Sequence, residues 1–179
     1  GLGRVIGVSV GRSPGDGSYT CAISAANRSV SCWGGLSAPQ PPDDLGPVAS
    51  LSAGGEHVCA LTDNNTVQCW GSNRFGQCDV PALPSPVLLL SSGSYHSCVV
   101  LADENRRVVC WGDYRGGPPS NRDWASVVAG ESWTCGITTN LTGVCWPGAW
   151  KNQSYYQTWA PQLTQGPSPD DLGPVAQFG

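Results

Sequence analysis

Nine cysteines are the residues of this sequence best suited to chemistry, and their spacing decides which chemistry that is. Structural zinc is held by closely spaced pairs, yet no Cys-x-x-Cys occurs, and the nearest neighbours, Cys69 and Cys78, stand nine positions apart. Disulfides are the expectation, and with them an oxidising compartment. Acid–base and nucleophilic chemistry find less support. His57 and His96 occupy one position of a repeat whose other copies carry Tyr19 and Trp133 there. A place filled by His, Tyr and Trp alike packs a flat ring rather than holding a general base. Glu56 and Glu131 recur beside it, but no third group completes a triad or a metal site. Asp43-Asp44 and Asp170-Asp171 look like acidic pairs, but each precedes Leu-Gly-Pro and reads as a turn or capping element. No phosphate-cradling glycine loop, nucleophile elbow or Ca²⁺ loop occurs. The chain is expected not to be an enzyme and to need no cofactor or metal.

The elements that position the cysteines follow from an internal repeat. Cys21, Cys59, Cys98 and Cys135 lead four copies, spaced 38, 39 and 37 residues apart. Each copy ends in a second cysteine followed by tryptophan: Cys32-Trp33, Cys69-Trp70, Cys110-Trp111 and Cys145-Trp146. The segment Pro42-Asp43-Asp44-Leu45-Gly46-Pro47-Val48-Ala49 recurs letter for letter at 169–176, and Leu2-Gly3-Arg4-Val5-Ile6 is a weaker copy. Units of about 2–44, 45–85, 86–123 and 124–171 result, with the opening of a fifth at 172–179, all in one repeat domain.

Within a unit, Val48 to Ala53 alternates apolar with small or polar residues and is broken by Gly54-Gly55. His57 to Thr62 and Thr66 to Trp70 flank Asp63-Asn64-Asn65, whose residues tolerate the left-handed turn of a hairpin. Pairing about that turn sets Cys59 opposite Cys69, within bridging distance. The same geometry predicts Cys21–Cys32, Cys98–Cys110 and Cys135–Cys145. Cys78 is left unpaired: it is free, or its partner lies outside this chain, in a missing stretch of the same polypeptide or in a neighbouring subunit. The tryptophan after each second cysteine is expected to stack against a disulfide in every repeat, as a core device.

Composition bounds the function. Only 12% of residues are charged, and Gly and Pro together number 39, a balance that could signal disorder. Eight Trp and five Tyr supply buriable area that disordered chains lack. A net charge of −4 with scattered Lys and Arg excludes a general nucleic-acid surface. The apolar run Val87 to Leu90 is far too short to span a bilayer, so no membrane insertion is expected of this segment. With no signal peptide and no starting Met, the chain reads as a processed product or an excerpt of a longer polypeptide.

The second unit resembles the repeat of the regulator of chromosome condensation family. Gly54-Gly55-Glu56-His57-Val58-Cys59-Ala60-Leu61, then Val67-Gln68-Cys69-Trp70-Gly71, then Asn73-Arg74-Phe75-Gly76-Gln77 follow that family's signature. With its cysteine pair, the unit is similar to the crinkly-type repeats of plant receptor-kinase ectodomains. The resemblance implies an all-β fold: a β-propeller or propeller-like array of about four short antiparallel blades with intra-repeat disulfides. Propellers serve mostly as interaction platforms, and the founding member's nucleotide exchange is not carried over.

Four Asn-x-Ser/Thr sequons, at Asn27, Asn64, Asn140 and Asn152, predict N-linked glycans and a place in the secretory pathway. The first three lie at hairpin tips, where the third unit instead carries the charged run 103–107. Glycans there would leave one rim closed to tight protein contact. Pro-rich connectors at 38–42, 84–86 and 166–169 look like sites of hydroxyproline-linked sugars in plant and green-algal wall glycoproteins, making O-linked glycans a second expectation. Trp150, Tyr155, Tyr156 and Trp159 stand in an insertion outside the repeat and are the candidate partner contacts. The leading expectation is an extracellular structural glycoprotein module of a cell-surface or fibrous assembly, bound to other proteins or to copies of itself. The alternative is a ligand-binding ectodomain of a receptor kinase.

Overall fold

The computed structural model describes residues 3–13, 15, 17–36, 38–114, 117–120 and 122–147. These form four three-stranded antiparallel sheets, each a simple meander of consecutive strands. Blade 1 holds β1 (Val5–Ser13), β2 (Gly17–Ser24) and β3 (Val30–Gly34); blade 2 holds β4 (Val48–Ala53), β5 (His57–Thr62) and β6 (Val67–Gly71). Blade 3 holds β7 (Val87–Ser92), β8 (His96–Leu101) and β9 (Val108–Gly112); blade 4 holds β10 (Trp124–Ala129), β11 (Trp133–Thr138) and β12 (Gly143–Pro147). The architecture is an all-β, propeller-like array, and no helix among the described residues is long and apolar enough to cross a membrane.

Each blade repeats the same local devices. The first strand is irregular after its first residue, between Val5 and Gly7, Val48 and Ser50, Val87 and Leu89, and Trp124 and Ser126. Such bulges bend and twist a short strand. The turn between second and third strands places one residue at positive φ: Arg28, Asn65, Arg106 and Leu141, always four positions before the second cysteine. The first strands β1, β4, β7 and β10 touch in sequence and form the inner side of the array.

Three apolar clusters sit between blades rather than inside them. A three-stranded sheet has two faces and no interior, so its apolar residues must be buried against another sheet. One cluster joins Cys21, Ile23 and Cys32 of blade 1 to Val58, Ala60 and Trp70 of blade 2. A second joins Cys59 and Leu61 of blade 2 to Val99 and Trp111 of blade 3. A third joins Cys98 and Val100 of blade 3 to Val127 and Trp146 of blade 4.

Candidate functional site

The four disulfides are intra-blade: Cys21–Cys32, Cys59–Cys69, Cys98–Cys110 and Cys135–Cys145, with Cα separations of 4.0–4.1 Å. Each pair is directly opposed in the ladder between second and third strands. The tryptophans do not stack on their own blade's bridge. Successive residues of a strand point to opposite faces, so Trp70 lies on the other side of β6 from Cys69 and packs toward blade 1. A bridge thus shares its cluster with the tryptophan of the following blade. The indole N–H is also capped by the preceding connector: Trp70 donates to the Pro39 carbonyl at 3.2 Å, Trp111 to the Gln77 carbonyl at 2.9 Å, and Trp146 to the Tyr114 hydroxyl at 2.8 Å. Trp33 has no blade before it among the described residues and is 40% exposed, against 8%, 7% and 4% for Trp70, Trp111 and Trp146.

The ring position fixes neighbouring blades to one another. Tyr19 donates its hydroxyl to the carbonyls of Gly54 at 3.1 Å and His57 at 2.8 Å. His57 Nε2 lies 2.8 Å from the Ser97 hydroxyl, and His96 Nε2 lies 2.8 Å from the Thr134 hydroxyl. Burial pushes the Tyr19 phenol up and pushes the His57 imidazole down to about 4; His96 is lowered by burial as well. Both imidazoles are therefore neutral packing groups at physiological pH, and neither faces open solvent. Glu56 accepts a hydrogen bond from Ser13 at 3.0 Å, and Glu131 is exposed. Among the described residues no three His, Cys, Asp or Glu side chains group as metal ligands.

A backbone relay completes each junction. Ser9 Oγ accepts from the Ala53 N–H at 3.0 Å, Ser52 Oγ from Ser92 at 2.8 Å, and Ser91 Oγ from Ala129 at 2.9 Å. Sequence reasoning overlooked these serines, although aligning the repeats puts Ser9, Ser52 and Ser91 in one column, all opposite the leading cysteine. Gln77 was overlooked too; it is buried, its side-chain oxygen accepts from the Phe75 N–H at 2.8 Å, and its carbonyl caps Trp111.

Three of the sequons lie at exposed hairpin tips. Asn27 Oδ1 accepts from the Ser29 amide at 3.2 Å and hydroxyl at 2.8 Å, and Asn64 Oδ1 from the Thr66 amide at 3.3 Å and hydroxyl at 2.8 Å. Asn140 Oδ1 accepts from the Thr142 amide at 3.3 Å. Among the bonds described, each side-chain oxygen holds the turn, and the amide nitrogen is on an exposed residue. In blade 3 the tip is closed by Asp103, which accepts from the Arg107 amide at 2.9 Å; that bond first, and the Arg107 side chain with it, holds the carboxyl below its usual range. Cys78 is half-buried, with its sulfur 3.4 Å from the Ser72 carbonyl, and burial with the adjacent Asp79 pushes the thiol up to about 11. It is protonated and poorly nucleophilic. Trp150, Asn152, Tyr155, Tyr156 and Trp159 lie outside the described residues, as do the second Pro-Asp-Asp-Leu copy and the connector at 166–169.

The description of the regulator of chromosome condensation (RCC1) repeat matches residues 48–77. A curated relative, the serine/threonine-protein kinase-like protein CCR2 of Arabidopsis thaliana, is 27% identical over 165 residues, 74% of this chain and 21% of its own length. The crystal structure of the CRINKLY WD40 ectodomain of the Arabidopsis thaliana receptor kinase ACR4 matches with a TM-score of 0.66 at 27% identity, over 81% of this chain and 50% of that one. The entire ectodomain of the Physcomitrella patens receptor kinase CR4 matches with a TM-score of 0.69 at 25% identity, over 83% of this chain and 40% of that one. The chain spans about a fifth of the curated relative and half or less of either ectodomain. One of its repeats, residues 48–77, matches the regulator of chromosome condensation repeat, and the chain is similar to crinkly-type receptor-kinase ectodomains.

Proposed function

From repeats similar to those of receptor-kinase ectodomains, each stapled by a disulfide, we propose that this chain is a non-catalytic protein-interaction module held outside the cell. The observation that carries the reading is the bridge at every blade junction: three of the four disulfides sit in the apolar clusters between blades. A chain kept reduced in the cytosol would have no such use for eight paired cysteines. N-linked glycans at Asn27, Asn64 and Asn140 fit the exposed tips, which lie at one rim of each blade and leave the other surfaces to partners. Two finer readings share this ground. The similarity to ACR4 and CR4 favours the ligand-binding ectodomain of a receptor kinase. Exposed sequons at three hairpin tips and the unpaired Cys78 favour a structural component of a cell-surface or fibrous assembly.

The test is labelling of intact cells with a membrane-impermeant amine or thiol reagent, followed by crosslinking and identification of bound proteins. Labelling of the native protein from outside, with a crosslinked protein partner, is the expected result. Protection until the cells are lysed would remove the reading. A transmembrane helix and kinase domain in the same transcript would decide for the receptor.

A further inference from the structure

The junction of blades 1 and 2 keeps a space that the next junction fills. The inner glycines put the blades in phase: a Cβ on Gly11 would stand 2.4 Å from the Gly54 carbonyl, and one on Gly54 2.3 Å from the Gly93 carbonyl. Two residues after these glycines come Ser13, Glu56 and Tyr95, one column of the repeat. Between blades 2 and 3 the Tyr95 ring meets Phe75, from the connector after β6, edge to face with centroids 5.0 Å apart. Between blades 1 and 2 the Tyr95 place is held by Glu56, and the connector stretch from Gly35 to Pro39 has no aromatic residue. A cavity of about 310 Å³ results, bordered by Ser13, Tyr19, Pro39, Glu56, Ser72 and Arg74. Its lining comes from blades 1 and 2 and the connectors that follow them, so it does not depend on what lies beyond either end of the array.

The walls carry opposite charges that do not meet. Glu56 is half-buried, and among the described residues its carboxylate has one hydrogen-bond partner, the Ser13 hydroxyl at 3.0 Å. Arg74 is exposed, at the rim. Among the described residues neither forms an ion pair, so a gap separates the two charged groups. A carboxylate accepts about four hydrogen bonds, and burying it in part without a counter-charge costs free energy that a ligand cation recovers. The Tyr19 hydroxyl is already engaged by the Gly54 and His57 carbonyls, which leaves Glu56 and Arg74 as the charged groups of the lining. The volume is at the low end of the range for ligand sites, about 300–1,000 Å³, and admits one long side chain rather than a folded segment.

We propose that this cavity captures the carboxyl-terminal basic residue of a peptide, with its side-chain cation on Glu56 and its terminal carboxylate on Arg74. A guanidinium fork pairs with a carboxylate through two parallel bonds, which suits Arg74 to a chain end. A ligand bearing both charges satisfies both walls, whereas a simple cation is opposed by Arg74 and a simple anion by Glu56. The capture rests on the interaction-module reading and names one class of partner for it.

The experiment is fluorescence anisotropy of the oxidised 179-residue chain with a short labelled glycine-serine peptide ending in arginine. Saturable binding is expected, weaker by roughly tenfold or more when the peptide's carboxylate is amidated or its arginine is replaced by leucine. Glu56→Gln should erase the preference for arginine over leucine, and Arg74→Ala the preference for the free carboxylate over the amide. Glu56→Tyr, which installs the residue blade 3 uses at this place, should fill the space and remove binding. Circular dichroism and a non-reducing peptide map confirm that each variant is folded. A wild-type chain with no saturable binding, or preferences that survive both Glu56→Gln and Arg74→Ala, overturns the proposal. A chain that ignores these peptides, yet is labelled from outside the cell and crosslinked there to another protein, overturns the capture and leaves the interaction-module reading standing.

Discussion

The Nε2 atom of His57 lies 2.8 Å from the hydroxyl of Ser97, so that blade 2 grips blade 3 through two side chains with no contact to solvent. Ser97 in turn donates to the Gln77 carbonyl at 3.4 Å, which leaves its oxygen to accept from a neutral imidazole protonated on Nε2. Nδ1 has no partner. A second proton would have to be placed there, in an apolar junction, beside His96.

That arrangement fixes a pH dependence. Burial first, and the neighbouring His96 second, lower the folded-state value of His57 to about 4 from an ordinary 6.5. Between these two values the unfolded chain binds a proton that the folded chain refuses, so stability falls as pH falls through that window and is full above it. The difference corresponds to something on the order of 3 kcal/mol at most. His96, also lowered by burial, adds in the same direction. Denaturant midpoints measured from pH 7 to pH 4 should decline, and His57→Tyr, the residue blade 1 uses at this place, should flatten the decline. A midpoint independent of pH in the wild type would contradict the burial.

The tryptophans offer a contrast within one repeat position. Truncating a well-buried Trp to Ala typically costs about 3–5 kcal/mol. Trp111→Ala should fall in that range, since it also removes the shorter of the two hydrogen bonds to the Gln77 carbonyl. Trp33→Ala should cost about 1 kcal/mol or less, in keeping with a surface substitution, because the ring is 40% exposed. Equal losses in the two variants, read from chemical denaturation, would mean that blade 1 is covered in solution.

Reduction should distinguish the bridges by position. Cys59 and Cys98 are fully buried under the following blade, while Cys135 is exposed among the described residues. Mild phosphine treatment of native, dilute protein followed by alkylation should open Cys135–Cys145 first. Each bridge closes a loop of roughly ten residues, for which chain entropy assigns about 2–3 kcal/mol. The double variant Cys59→Ser/Cys69→Ser should lose about that much stability, read as a lower denaturant midpoint.

What the sequence shows plainly here is whatever depends on a single blade. The turn residues between Thr62 and Thr66 fix the hairpin, and the hairpin fixes which cysteines face each other. The direction of the tryptophans is a matter of strand parity: Cys69 and Trp70 are adjacent, so they cannot serve the same face. Trp70 can therefore pack only toward the bridge of a neighbouring blade, Cys21–Cys32, and which bridge it meets cannot be read from one unit. Gln77 was out of reach for a different reason. Its role lies in a connector that folds onto Trp111, a contact 34 residues away that no local pattern announces. The serine column was visible but carries no chemistry until the first strands are known to lie side by side.

The last test concerns the turn at the tip of blade 4. Leu141 has φ of 67°, at the place where blade 2 has Asn65, a residue that tolerates this conformation. A branched apolar side chain in the left-handed region costs about 1–2 kcal/mol relative to an unstrained backbone. Leu141 is 61% exposed, so little packing offsets that cost. Leu141→Gly keeps the Asn140-x-Thr142 sequon and relieves the strain, at the expense of extra freedom in the unfolded chain. The net effect should be a gain of about 0.5–1 kcal/mol, seen as a melting temperature higher by roughly 1–4 °C for a chain of this size. A lower melting temperature would show that the Leu141 side chain is packed against something in solution.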